Sequence, residues 1–194
     1  GMDFVAKAPA DGYTIMIASN SLATNAALFN KLSFNPSTDF TPVARIGEAS
    51  LVVVVPAKSN IASMKALVAQ AKAQPGKLSY ASAGNGSSGH LAGEMLKDTA
   101  NIDVLHVPYK GGAPAITDLI GERISFMPIN PLEVISHIKA GTLRPLAVAS
   151  ANRSALLPAV PTSKEGGLPG FTALGWGGLV APAKPPPAIV KQFN

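Results

Sequence analysis

Three observations predict an α/β fold with a mainly parallel sheet. Short strand-like apolar runs alternate with helix-like stretches of about ten residues, the rhythm of βαβ units. The clearest strand, Leu51–Val55, is almost entirely β-branched and is closed by Pro56. The segment after it places Ile61, Met64, Leu67, Val68 and Ala71 on one helical face.

The other elements follow in order. Asp11-Gly12 launches a buried strand over 13–18, and a short helix is expected within 25–31. Ser59 or Asn60 can cap the helix after Leu51–Val55, and Pro75-Gly76 ends it. Strands are expected at 77–81, 104–107, 124–127 and 145–149, with helices at 91–96, 114–120 and 132–139 between them. Beyond Ser150, Pro158, Pro161, Gly166, Gly167, Pro169 and Gly170 predict a winding connector. Leu179–Ala181 resumes a strand, and Pro185-Pro186-Pro187 can open a last helix.

Composition limits what the chain can do. Of 194 residues, 47% are hydrophobic and only 14% charged, so a disordered chain would leave too much apolar surface in water. With 18 glycines and 17 prolines, the elements are short and joined by tight turns. The net charge of +5 comes from cations scattered singly, and aromatics are only 6%. That excludes the clustered basic stripe with stacking rings that nucleic acid requires, and it suits a small anion. With no cysteine, disulfides, thiolate metal sites and cysteine nucleophiles are ruled out. No run is long enough to span a bilayer, and no basic-then-apolar leader opens these residues.

One segment stands out chemically. Ser82-Ala83-Gly84-Asn85-Gly86-Ser87-Ser88-Gly89-His90 lies between a predicted strand and a predicted helix. Its glycines permit a tight turn and close approach to the backbone, while amides and hydroxyls at a helix start make an anion site. The helix dipole contributes about 0.3–1 kcal/mol, against about 8 kcal/mol for micromolar affinity, so other contacts must share the work. Two more loops follow strands, Tyr109-Lys110-Gly111-Gly112 and Pro128-Ile129-Asn130-Pro131. In an open α/β sheet they fall on the same carboxyl-end rim. Asn130 offers both a donor and an acceptor, and Ser19, Asn20 and Ser21 end the first strand with similar chemistry.

Catalytic vocabulary is sparse. His90, His106 and His137 have no metal-ligand spacing, and neither a G-x-S-x-G elbow nor a phosphate-loop motif is present. Ser87 or Ser88 with His90 could imitate a nucleophile and base, but helix capping accounts for them more simply. Gly84, Gly86 and Gly89 match G-x-G-x-x-G with Asp103 downstream, which keeps an NAD(P)-binding Rossmann-like oxidoreductase as the alternative. The expectation is a binding protein with no catalytic residue, metal or cofactor.

Six motifs in order resemble the Bug (TctC) family of extracytoplasmic solute receptors of tripartite tricarboxylate transporters. They are Ala10-Asp11-Gly12-Tyr13-Thr14, Gly84–His90, His106-Val107-Pro108-Tyr109-Lys110-Gly111, Leu143–Val148, Leu157–Thr162 and Gly167–Phe171. The resemblance implies a periplasmic-binding-protein-like fold of type II, a two-lobed Venus flytrap that closes on a small carboxylate. Lobe one would comprise 1–47 and 168–194, and lobe two 48–167. Ser82–His90 would be the anion loop of lobe two, and Ser19–Ser21 part of the share of lobe one. A periplasmic location and delivery to membrane permease subunits are further implications. Against the family pattern, lobe one is expected to be incomplete, which would let its strands pair between chains. Pro128-Ile129-Asn130 stands where members often carry Phe-Asp-Asn, arguing against an amino-acid ligand.

Overall fold

The computed structural model describes every residue, Gly1–Asn194. The chain divides into two compact units: unit 1 is Gly1–Glu48 with Trp176–Asn194, and unit 2 is Ala49–Gly175.

Unit 1 contains α1 (Met2–Ala6), β1 (Met16–Ser19), α2 (Asn20–Leu28), most of β2 (Phe40–Ser50) and, after the chain returns, β8 (Leu174–Pro182) and α7 (Pro187–Phe193). Its strands are ordered β1-β8-β2, with β1 antiparallel to β8. Val5, Ala18, Leu22, Phe40 and Val180 form its core. β1 begins at Met16 rather than Tyr13, because Asp11 Oδ1 accepts the Tyr13 amide and holds that stretch in a turn. β2 was not expected. Polar and charged residues interrupt its apolar ones, so it carries no buried-strand signal.

Unit 2 holds β3 (Val52–Pro56), α3 (Met64–Ala73), β4 (Ser79–Ser82), α4 (Ser88–Ala100), β5 (Leu105–Pro108), α5 (Gly112–Ile120), β6 (Met127–Ile129), α6 (Pro131–Lys139) and β7 (Leu143–Val148). β4 and β5 pair in parallel, and a parallel bridge between Tyr80 and Phe126 joins β4 to the start of β6. β3 lies between β6 and β7 and is antiparallel to both. The strand order is therefore β5-β4-β6-β3-β7, in which β3 alone opposes the common direction. The α/β fold is as expected, but the sheet is mixed rather than mainly parallel: four strands share one direction, while β3 runs against both of its neighbours and makes those two pairings antiparallel.

Helices cover both faces of this sheet. Leu51, Val53, Leu67, Tyr80, Leu96 and Phe126 belong to one core, and Val52, Val54, Ile116, Leu119 and Val134 to the other. Burial on both faces explains why β3 reads as an unbroken valine run instead of an alternation. α3 is capped by Ser63, whose Oγ accepts the Ala66 amide at 3.1 Å, while Ser59 makes a local turn with Ile61. Residues 168–175, expected to return with lobe one, stay in unit 2 because Phe171 is completely buried in the core there.

Candidate functional site

The common strand direction brings the exits of β4, β5 and β6 to one rim. Two hydrogen bonds join the first two exits: Tyr109 N–H to the Ser82 carbonyl at 3.0 Å and Gly111 N–H to the Ala83 carbonyl at 3.2 Å. The third exit is held by close packing. A Cβ on Gly89 would lie 2.6 Å from the Pro128 carbonyl oxygen, so only glycine lets the start of α4 approach β6.

The loop 82–88 is shaped by Gly84 (φ +127°) and Gly86 (φ +79°), conformations that L side chains rarely adopt. Ser82 is fully buried, and its Oγ lies 2.7 Å from His106 Nε2 and accepts the Gly84 amide at 3.2 Å. Ser87 caps α4: its Oγ accepts the His90 amide and donates to the Gly84 carbonyl at 2.7 Å. Gly86 N–H donates to His90 Nδ1 at 3.2 Å, so the ring proton sits on Nε2. Ala83 and Asn85 are exposed on the rim. The amides of Ser88 and Gly89 open α4 and have no carbonyl four residues back to bond. These two amides are the unpaired helix-start donors of this rim.

A ring column supports the loop. Tyr80 stacks on His106 with centroids 4.7 Å apart, and His106 stacks on His90 at 4.3 Å. Burial, reinforced by neighbouring His90, pushes His106 down to about 4, so the ring is neutral at pH 7. The Tyr80 hydroxyl donates to Glu94 Oε1 at 2.6 Å, and burial followed by that carboxylate pushes the phenol well above its usual range. Burial works to raise Glu94, but the hydrogen bonds from Tyr80 and Lys97 prevail and hold it low.

The remaining expected residues fall in two places. Asn130 caps α6, its Oδ1 accepting the Leu132 amide at 3.0 Å. In unit 1, Ser19 and Ser21 share a hydroxyl–hydroxyl contact of 3.0 Å, and Asn20 Oδ1 accepts the Trp176 amide at 3.1 Å. Lys110 is exposed, and Tyr109 packs with its hydroxyl donating to Asp118 Oδ2 at 2.7 Å.

Sequence reasoning left out two residues here. Gly89 was read as one glycine of a pattern, although the unbranched Ser-Gly-His step at a helix start already hinted at crowding. His106 was read as a strand residue; its signal was a polar ring inside an otherwise apolar β5.

Two arrangements that could pass for chemistry are otherwise engaged. Ser87 Oγ meets only the backbone amide of His90 and donates to the Gly84 carbonyl, while His90 Nδ1 accepts the Gly86 amide, so hydroxyl and ring do not pair as nucleophile and base. Ser82 and His106 do lie within hydrogen-bond reach, but Ser82 is sealed from solvent. The dinucleotide reading needs its acid beside the glycine loop. Asp103 instead precedes β5 and accepts the Gly76 amide through its carbonyl, at the opposite end of the strands from Gly84–Gly89.

The family model described as "Tripartite tricarboxylate transporter family receptor" (TctC) matches residues 1–194. The chain belongs to this family. Among curated relatives of this TctC chain, a protein from the tcbD-tcbE intergenic region of a Pseudomonas species is 42% identical over 195 residues. BugT of Bordetella pertussis is 38% identical over 196. The TctC chain is fully covered in both matches but spans only 58% and 60% of the lengths of those relatives. Solved structures agree on the fold. An R. palustris protein with adipate superposes with a TM-score of 0.96 at 35% identity, covering 99% of this chain and 64% of that one. MatC from Rhodopseudomonas palustris with bound malate gives 0.92 at 28% identity, covering 99% and 66%. The periplasmic binding protein BugD gives 0.92 at 31%, covering 100% and 64%. The fold is thus that of periplasmic solute-binding proteins.

Proposed function

We propose that this TctC chain captures a small organic carboxylate for delivery to the permease subunits of a tripartite transporter in the periplasm, with no catalytic step. One observation carries the reading: the amides of Ser88 and Gly89 open α4 beside the Ser87 cap, with no carbonyl four residues back to bond. Ser82, Gly86, Ser87 and His90 build this cradle, while Ala83, Gly84 and Asn85 form its rim. Asn130 Oδ1 is taken up by the Leu132 amide, which leaves its carboxamide N–H groups as donors for a ligand oxygen. The two related R. palustris proteins solved with adipate and with malate support a carboxylate as the ligand class.

A thermal-shift panel of mono-, di- and tricarboxylates, with NADH as control, tests the proposal. A ligand that binds only the native state raises the melting temperature by mass action. A rise with one carboxylate class, reduced about fivefold in apparent affinity by Ser88→Ala, is the expected result for the loss of one hydrogen bond of about 1 kcal/mol. A rise with NADH alone would overturn it.

A further inference from the structure

Two glycines with positive φ give the loop its shape, and neither is held by the backbone alone. The Gly84 amide (φ +127°) is tied to Ser82 Oγ, which lies 2.7 Å from His106 Nε2. The Gly86 amide (φ +79°) is tied to His90 Nδ1, and the face of that ring lies on His106 at 4.3 Å with 23° between planes. Both restraints converge on one side chain of β5, whose exit otherwise meets the loop only through its backbone, at Ser82 and Ala83. From below, Tyr80 stacks on the same imidazole at 4.7 Å, and Phe126 stacks on Tyr80 at 5.7 Å. Both of those rings are fully buried.

We propose that His106 is a positioning residue of the carboxylate site: it reaches no ligand, and it fixes the direction of the Ser88 and Gly89 amides through Ser82 and through His90. This rests on the functional reading above and deepens it. The chemistry is suited to the task. An imidazole presents an edge nitrogen to Ser82 and a flat face to His90 at once, whereas phenylalanine supplies only the face and glutamine only the polar edge. Ser82 Oγ has a second acceptor in the Gly84 carbonyl at 3.2 Å. The shorter contact to His106, at 2.7 Å, directs its proton away from that carbonyl and leaves a lone pair for the Gly84 amide. Without His106 the hydroxyl turns to the carbonyl and that anchor weakens. Preorganised donors bind better than donors that must be ordered by the ligand.

The test compares His106→Phe with His106→Gln in this chain, using adipate and malate as probes in titration calorimetry. Loss of one supporting hydrogen bond is expected to weaken the probe that binds by about tenfold in His106→Phe. His106→Gln, which restores a polar partner for Ser82, should recover most of that loss, a rescue that general destabilisation would not produce. In amide NMR spectra of the free proteins, Gly84 and Gly86 should shift in His106→Phe while Lys97–Ala100 at the far end of α4 stay in place. Affinity within twofold of wild type in His106→Phe, or no recovery in His106→Gln, would overturn the proposal. If His106→Phe does not fold, Ser82→Ala removes the same link without added bulk, and unchanged affinity there is equally decisive against it. Should the wild-type chain bind neither probe, the functional reading fails on its own. The Gly84 and Gly86 shifts then decide the positioning claim separately: movement supports it and stillness refutes it.

Discussion

Unit 2 encloses β3 so fully that Val52, Val53, Val54 and Val55 are each 0% exposed, whereas β1 of unit 1 leaves Ile17 73% exposed and Tyr13, just before it, 94%. Both are short apolar stretches that the sequence marks as buried strands, Leu51–Val55 the more clearly of the two. They differ in what covers them. The sheet of unit 2 has cores on both faces, while unit 1 gathers its buried residues into one small cluster around Leu22 and Phe40. An apolar run reports burial only where enough neighbouring surface exists to complete it.

Core truncation should give the widest separation between the units. Phe126→Ala is expected to cost about 3–5 kcal/mol, and Leu22→Ala about 2 kcal/mol because its smaller cluster collapses more easily. Trp176, the sole tryptophan, lies in unit 1 and reports on it by fluorescence in urea, while far-UV circular dichroism follows the helices of unit 2. Phe126→Ala should lower the dichroism midpoint more than the fluorescence midpoint. If both move together, the units unfold as one and the contrast is only local.

A smaller effect is expected from adding a methyl group. A Cβ on Gly93 would lie 2.0 Å from the buried Tyr80 ring, so Gly93→Ala should cost about 1–3 kcal/mol. The same change at Gly47, where nothing lies within 4 Å, should stay within about 0.5 kcal/mol. Equal melting temperatures for the two variants would contradict the packing described for α4.

Acid should weaken unit 2 in a window set by His106. Its folded value is pushed down to about 4, from an ordinary value of 6.5, so between those limits the unfolded chain binds the additional proton. Stability from this group is therefore complete above pH 6.5 and is lost as pH falls toward 4, by on the order of 2 kcal/mol. Denaturant midpoints measured across that range should slope downward toward acid in wild type and less steeply in His106→Gln. The same slope in both proteins would remove His106 as the cause.

The legible parts of the fold were those where local chemistry and tertiary packing agree. The faces of α3, α5 and α6, the β3 valines and the Ser87 cap all follow from residue spacing. β2 was illegible because Arg45, Gly47 and Glu48 break its pattern, and an edge position tolerates them. At the candidate site, the glycine- and serine-rich loop could be found from sequence, but the division of labour within it could not. That the Ser82 hydroxyl turns inward follows from His106, 24 residues away and brought beside it only by parallel pairing of β4 with β5.

The close approach of Gly89 to the Pro128 carbonyl has a practical bearing on any attempt to re-engineer this rim. A randomised library that includes position 89 would consist largely of misfolded clones, whatever ligand is used in selection. Ala83, Asn85 and Lys110 are exposed on the same rim and free of such crowding, so diversity concentrated there should yield altered preference at little loss of viable variants. In this protein the positions that hold the cradle together and the positions open to adaptation are different residues, separated by as little as one step along the chain.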